Sequence, residues 1–137
     1  MATIYEPLYL EGQTLSERAF KPLYVSNSQP AWREVRILVD FYRNNGHRQS
    51  NYVGIFSPKF GLKTKVTAER FLDFVGKNSS SDVCIVNPFP QLSYYSYNVW
   101  MQGEANHPGL TVRAQALLDA AGIKWTLSKA PREPLIN

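Results

Sequence analysis

Two clusters of polar residues in this chain are of types that do chemistry. The first is the loop Ser57-Pro58-Lys59-Phe60-Gly61-Leu62-Lys63. A serine hydroxyl and nearby backbone amides suit a phosphate or a sugar hydroxyl, and Lys59 and Lys63 would bring point charges to phosphates. The second cluster is Asn98, Gln102, Glu104 and His107. Asn98 and Gln102 are four apart and would share a helical face as ligand contacts, while Glu104 and His107 at i, i+3 are the candidate general acid or base. Between the clusters stands Asn87-Pro88-Phe89-Pro90, a stiff exit in which Asn87 offers a donor and an acceptor. Phe60 and Phe89 are the rings that would stack on a ligand.

Each group also has a plainer reading. Lysines in a polar loop face water, Asn87 to Pro90 redirects the chain, and His107-Pro108-Gly109 ends one helix and caps the next. One carboxylate and one histidine are too few ligands to name a metal site. The signatures G-x-S-x-G, G-x-G-x-x-G, H-E-x-x-H, paired C-x-x-C and D-x-D are all absent, and the 57–63 loop lacks the spacing of a P-loop.

These residues need a scaffold. At 137 residues, 44% of them hydrophobic and 19% charged, the composition is that of one globular domain, with 128–137 as a surface tail. The net charge of +4 is dispersed, without the basic stripe of a nucleic-acid binder, so no nucleic-acid partner is expected. The single cysteine, Cys84, reads as a small core residue, and a reducing, cytoplasmic setting fits it. No apolar window is long enough to span a bilayer.

The elements follow from periodicity. Residues 3–10 read as a strand that Pro7 would place at an edge or interrupt, and 22–25 as a short second strand. Trp32, Val35, Leu38, Val39 and Tyr42 recur at helical spacing through 31–45, with Asn44-Asn45-Gly46 as the stop through glycine's positive φ. The apolar runs 52–56 and 82–87 suit strands covered on both faces. Thr67 caps a helix, with Val66 and Phe71 placed as its hydrophobic staple. Residues 91–103 suggest a helix with Leu92, Tyr95 and Val99 on one face. Another helix starts at Thr111 with Ala114, Leu117, Leu118 and Ala121 inward, closed by Gly122, and 123–127 reads as a last strand. Alternation of strand and helix implies an α/β fold, a mainly parallel four- to five-stranded sheet flanked by helices. Such sheets bind ligands beyond the carboxyl ends of their strands, which would place both the 57–63 loop and Asn87 at the site.

Residues 52–110 resemble a little-characterised family of bacterial proteins through YVGIFSPKFGLKT, SDVCIVNPFP and YNVWMQGEANHPGL, with IYEPLYL and PAWREVRILVDFY also similar. More distantly, the arrangement is similar to the nucleotide-binding half of GT-A-type glycosyltransferases. That resemblance implies a Rossmann-like sheet with a nucleotide sugar or saccharide at its carboxyl edge, in bacterial polysaccharide assembly. No cofactor is evident, and Mg or Mn would enter only with a nucleotide sugar. Because D-x-D is absent and the usual acceptor-binding half is largely missing at this length, sugar transfer would need a glycosyltransferase partner. The competing reading is a non-catalytic interaction or homodimerisation module that uses Tyr94, Tyr95, Tyr97 and Trp100. A hydrolase based on Glu104 and His107 would need a second acid or a nucleophile.

Overall fold

A computed structural model of the protein describes residues 1–26, 28 and 30–131, with the backbone alone for 92 and 93. The chain forms two compact units, Met1–Pro88 and Phe89–Asn137. Residues 132–137, most of the expected surface tail, lie outside the described residues.

The first unit is built on a three-stranded parallel sheet: β1 (Ala2–Leu8), β2 (Lys21–Tyr24) and β3 (Tyr52–Ile55), in the order β2-β1-β3. Pro7 sits in the central strand, not at an edge. Its tolerance there follows from the register. Met1 and Tyr5 accept bonds from β3-side amides (Tyr52 and Phe56), whereas Leu8 accepts from Val25 on the β2 side. The odd residues of β1 therefore face β3, and Pro7 lies beyond Tyr5↔Ile55, the last β3 pair, so its missing N–H breaks no ladder bond.

One face of the sheet carries the core: Ile4 packs with Phe20, Phe60, Ala68, Phe71 and Val75. Phe60 and Phe71 come from α2 (Phe60–Thr64) and α3 (Ala68–Lys77). Thr67 caps α3, its hydroxyl accepting from the Arg70 N–H at 3.3 Å, and Val66 and Phe71 both join the core as a staple would. The other face meets α1 (Arg33–Arg43), where Phe41 packs edge-on to Tyr5 at 5.0 Å and Ile37 is buried. Ile37 and Phe41 form one face of α1, while Trp32 before it and Val35, Leu38 and Tyr42 on it stay exposed. The stop differs from expectation. Asn45 takes the left-handed φ of +57°, and Gly46 is needed because a Cβ there would clash with the Phe41 ring.

Two expected strands are not strands, which leaves three where four or five were expected. Residues 82–87 run beside the core without a ladder, with Cys84 and Val86 against it but Val83 and Ile85 more than 70% exposed. The apolar run thus covers one face, not two. The Tyr52 hydroxyl donates to the carbonyls of Ser79 and Ser81 and ties the approach to this segment to β3.

The second unit is helical: α4 (Leu92–Tyr95), α5 (Val99–Asn106) and α6 (Leu110–Ala120). The single helix expected at 91–103 is divided because Asn98 is extended and caps α5. Tyr95 and Val99 are exposed, so they do not form an inward face. Gly103 lies against α6, where a Cβ would collide with the Leu110 side chain. On α6, Ala114 and Leu118 are half-buried, but Leu117 and Ala121 face solvent. Residues 123–127 form no ladder. The Gln115 side chain takes a neighbouring strand's place, donating to the Trp125 carbonyl at 2.9 Å and accepting from the Leu127 N–H at 2.9 Å. Among the described residues, no helix is long and apolar enough to cross a membrane.

Candidate functional site

All three strands are parallel, so their carboxyl ends share one edge. The strand order turns back at β1, which places the topological switch point where β1 runs into Tyr9 and β3 into Phe56 and Ser57. The 57–63 loop is therefore at the edge where this class of sheet holds ligands.

Within that loop the structure separates the candidates. Ser57 Oγ accepts from the Lys59 N–H at 3.1 Å and its carbonyl accepts from the Phe60 N–H at 2.8 Å, a turn that starts α2. Lys59 and Lys63 are exposed one helical turn apart. Phe60 does not face a ligand. It is 7% exposed and packs 4.7 Å from Phe56, 5.8 Å from Phe20 and 6.0 Å from Phe71. Asn87 is exposed near the end of this unit.

The remaining candidates belong to the second unit. Phe89 is 49% exposed. Asn98 is occupied as a helix cap: its Oδ1 accepts from the Trp100 and Met101 N–H groups at 3.1 and 3.0 Å, and its Nδ2 donates to the Ala130 carbonyl at 3.2 Å. Gln102 is half-buried on α5, and its carbonyl accepts from the Asn106 side chain. Glu104 accepts from the Thr111 N–H at 2.8 Å and the Gly109 N–H at 2.5 Å, the free amides that open α6. Those two backbone bonds, with the Thr111 hydroxyl and the nearby Arg113 charge, hold its carboxyl below the ordinary range. A carboxylate held this way keeps no proton to give as an acid. His107 is exposed at the end of α5, and its backbone closes that helix and meets the Leu110 N–H. Among the described residues, no group of three His, Cys, Asp or Glu side chains is placed to hold a metal ion.

Two features of the first unit escape a reading by sequence proximity. Glu6, on the core side of β1, is fully buried, and its carboxylate accepts from the Ser16 N–H at 3.0 and 3.1 Å and from the Ser16 hydroxyl at 2.5 Å. These bonds pin the 9–20 connection to the sheet. The second is a cavity of about 150 Å³ at the carboxyl ends of β1 and β2, lined by Tyr9, Val25, Ser26, Arg33, Glu34, Arg36 and Ile37. The strand-end rule that pointed to Ser57 also points here, once β2 is followed through Ser26 into the first turn of α1. Burial, and then the neighbouring Glu34 carboxylate, push the Tyr9 phenol above its usual value, so it is a donor at neutral pH. Arg33 has φ +45°, a left-handed backbone that costs a non-glycine residue about 1–3 kcal/mol. No family profile, curated protein or solved structure matches this chain.

Proposed function

We propose that the chain binds a phosphate-bearing saccharide at the carboxyl edge of its parallel sheet. A nucleotide sugar is the class favoured by the likeness to GT-A-type glycosyltransferases, and polysaccharide assembly is its setting. The observation that carries this reading is the strand order β2-β1-β3, which puts the switch point beside the exposed Ser57, Lys59 and Lys63. Lys59 and Lys63 meet phosphate oxygens, and Ser57 and Asn87 contact hydroxyls. Phe60 has no part in stacking, and Glu104, already satisfied by backbone amides, leaves the role as one of binding, with chemistry left to a partner. The test is a thermal-shift panel of nucleotides, nucleotide sugars and glycans, with and without Mg²⁺ or Mn²⁺. A ligand at about a hundred times its Kd should stabilise the fold by roughly 2.7 kcal/mol. A nucleotide-sugar shift lost in Lys59→Ala supports the reading, and a silent panel sinks it.

A second reading, a homo-oligomerisation module, is favoured by one observation: Tyr94, Tyr95 and Tyr97 are 59%, 80% and 53% exposed. Light scattering on the wild type and on Tyr95→Ser decides it. A wild-type dimer that becomes monomeric in the variant favours the module, and a monomeric wild type removes it.

A further inference from the structure

We infer that the small cavity at the carboxyl ends of β1 and β2 is an oxyanion site for a phosphate monoester, with Arg33 and Arg36 as its cations and Tyr9 and Ser26 as its neutral donors. This rests on reading the sheet's carboxyl edge as the ligand edge, but not on the Ser57–Lys63 loop.

Tyr9 from the end of β1, Ser26 after β2, and Arg33 and Arg36 on α1 meet in one cavity of about 150 Å³, room for a phosphate group. Arg36 is already oriented: its Nε donates to Asp40 at 2.5 Å, which fixes the guanidinium plane and leaves its terminal nitrogens as donors. Arg33 has no carboxylate within ion-pair distance among the described residues, so no salt bridge occupies its guanidinium. Arginine's planar set of donors matches phosphate oxygens better than a lysine point charge. Glu34 lines the same cavity and opposes a bare anion, but it suits a ligand whose hydroxyl lies beside its phosphate. Space for such a body adjoins. A more open cavity of about 640 Å³ shares Tyr9, Val25 and Ser26 and extends along Leu10 to Gln13 and Tyr24. Tyr24 is 81% exposed there, a ring free to lie against a sugar.

The experiment titrates the whole chain with inorganic phosphate and, separately, with a hexose 1-phosphate, at ionic strength matched with chloride, followed by amide chemical shifts. The variant is Arg33→Asn, because asparagine tolerates the left-handed backbone at that position. Arg33→Gly replaces it should the asparagine variant fail to fold. The expected result is saturable binding of both probes by the wild type, weakened about tenfold or more in the Arg33 variant. Lys77→Ala, on α3 and part of neither this cavity nor the 57–63 loop, should leave that binding unchanged. Absence of wild-type binding, an Arg33 variant that binds as the wild type does, or loss of binding in Lys77→Ala each overturns the assignment. Phosphate bound through Arg33, with a silent nucleotide-sugar panel, keeps this site and removes the nucleotide-sugar reading alone.

Discussion

The first unit buries Ile4, Phe20, Phe60, Ala68, Phe71 and Val75 in one apolar cluster on the sheet, and it also buries the polar Thr3 and Glu6. In the second unit Leu127 is the buried hydrophobic among the described residues, and Tyr94, Tyr95, Val99, Met101, Leu117 and Trp125 are exposed. What the second unit has instead is polar bracing. Asn98 caps α5, Glu104 caps α6, and Gln115 holds the segment that follows α6. Burial of a large aromatic contributes several kilocalories, whereas a cap or a single hydrogen bond contributes about one. The two units should therefore respond to different insults: the first to cavities, the second to loss of side-chain acceptors.

Phe71→Ala should give the largest effect, a loss of about 3–5 kcal/mol in urea unfolding, because the ring sits among Phe56, Phe60 and Phe74. A loss under about 1 kcal/mol would mean that the first unit is not core-dominated. Ser16→Ala should follow, at about 1–3 kcal/mol, since it removes the hydroxyl donor from the fully buried Glu6 carboxylate and leaves it the Ser16 N–H. The double variant Glu6→Met with Ser16→Ala should recover much of that loss, and its failure to do so would assign the cost to something other than the under-satisfied carboxylate. In the second unit, Asn98→Ala should cost about 1 kcal/mol. Faster hydrogen exchange at the Trp100 and Met101 amides, with the first unit unchanged, is the measurement that checks it.

The Glu104 cap carries a pH signature. Its folded-state pKa lies below the ordinary value, so its contribution is present above the unfolded-state pKa and is lost as pH falls through the lowered one. Amide protection at Gly109 and Thr111 should fade in that acidic window in the wild type and stay flat with pH in Glu104→Gln. Smallest of all, Leu117→Ser should change stability by no more than about 0.5 kcal/mol, since Leu117 is 71% exposed. A larger cost would reveal a surface that something covers.

What could be read from the sequence follows the range of the interaction involved. Thr67, the Val66–Phe71 staple and a helix within 31–45 are local and legible, although that helix turns Ile37 and Phe41 inward and leaves Trp32, Val35, Leu38 and Tyr42 exposed. The runs 82–87 and 123–127 read as strands because apolar composition reports burial, not pairing. For 123–127 the pairing partner is a side-chain amide, Gln115, which no strand pattern announces. Phe60 looks like a loop aromatic until Phe20 and Phe71 arrive from elsewhere in the chain. The polar group at 98–107 was visible as a cluster, but its density reflects helix ends that need acceptors: Asn98 and Glu104 spend their oxygens on backbone amides. The cavity of Tyr9, Ser26, Arg33 and Arg36 has no local signal at all, since parallel pairing of β1 with β2 is what assembles it.

Continuing the register past Tyr5↔Ile55 would set Pro7 opposite Ser57. The next two bonds would then need an N–H from Pro7 to the Phe56 carbonyl and one from Pro58 to the Pro7 carbonyl, and neither proline has an N–H to give. One imino acid on each strand removes the same rung from both sides. β1 and β3 must part company after Tyr5 and Ile55, whatever the flanking residues prefer, so the end of their pairing is written into the covalent chemistry of the chain. Restoring an amide at either position alone would return one bond of the pair. Only Pro7→Val together with Pro58→Val would restore both bonds and let the two strands pair onward.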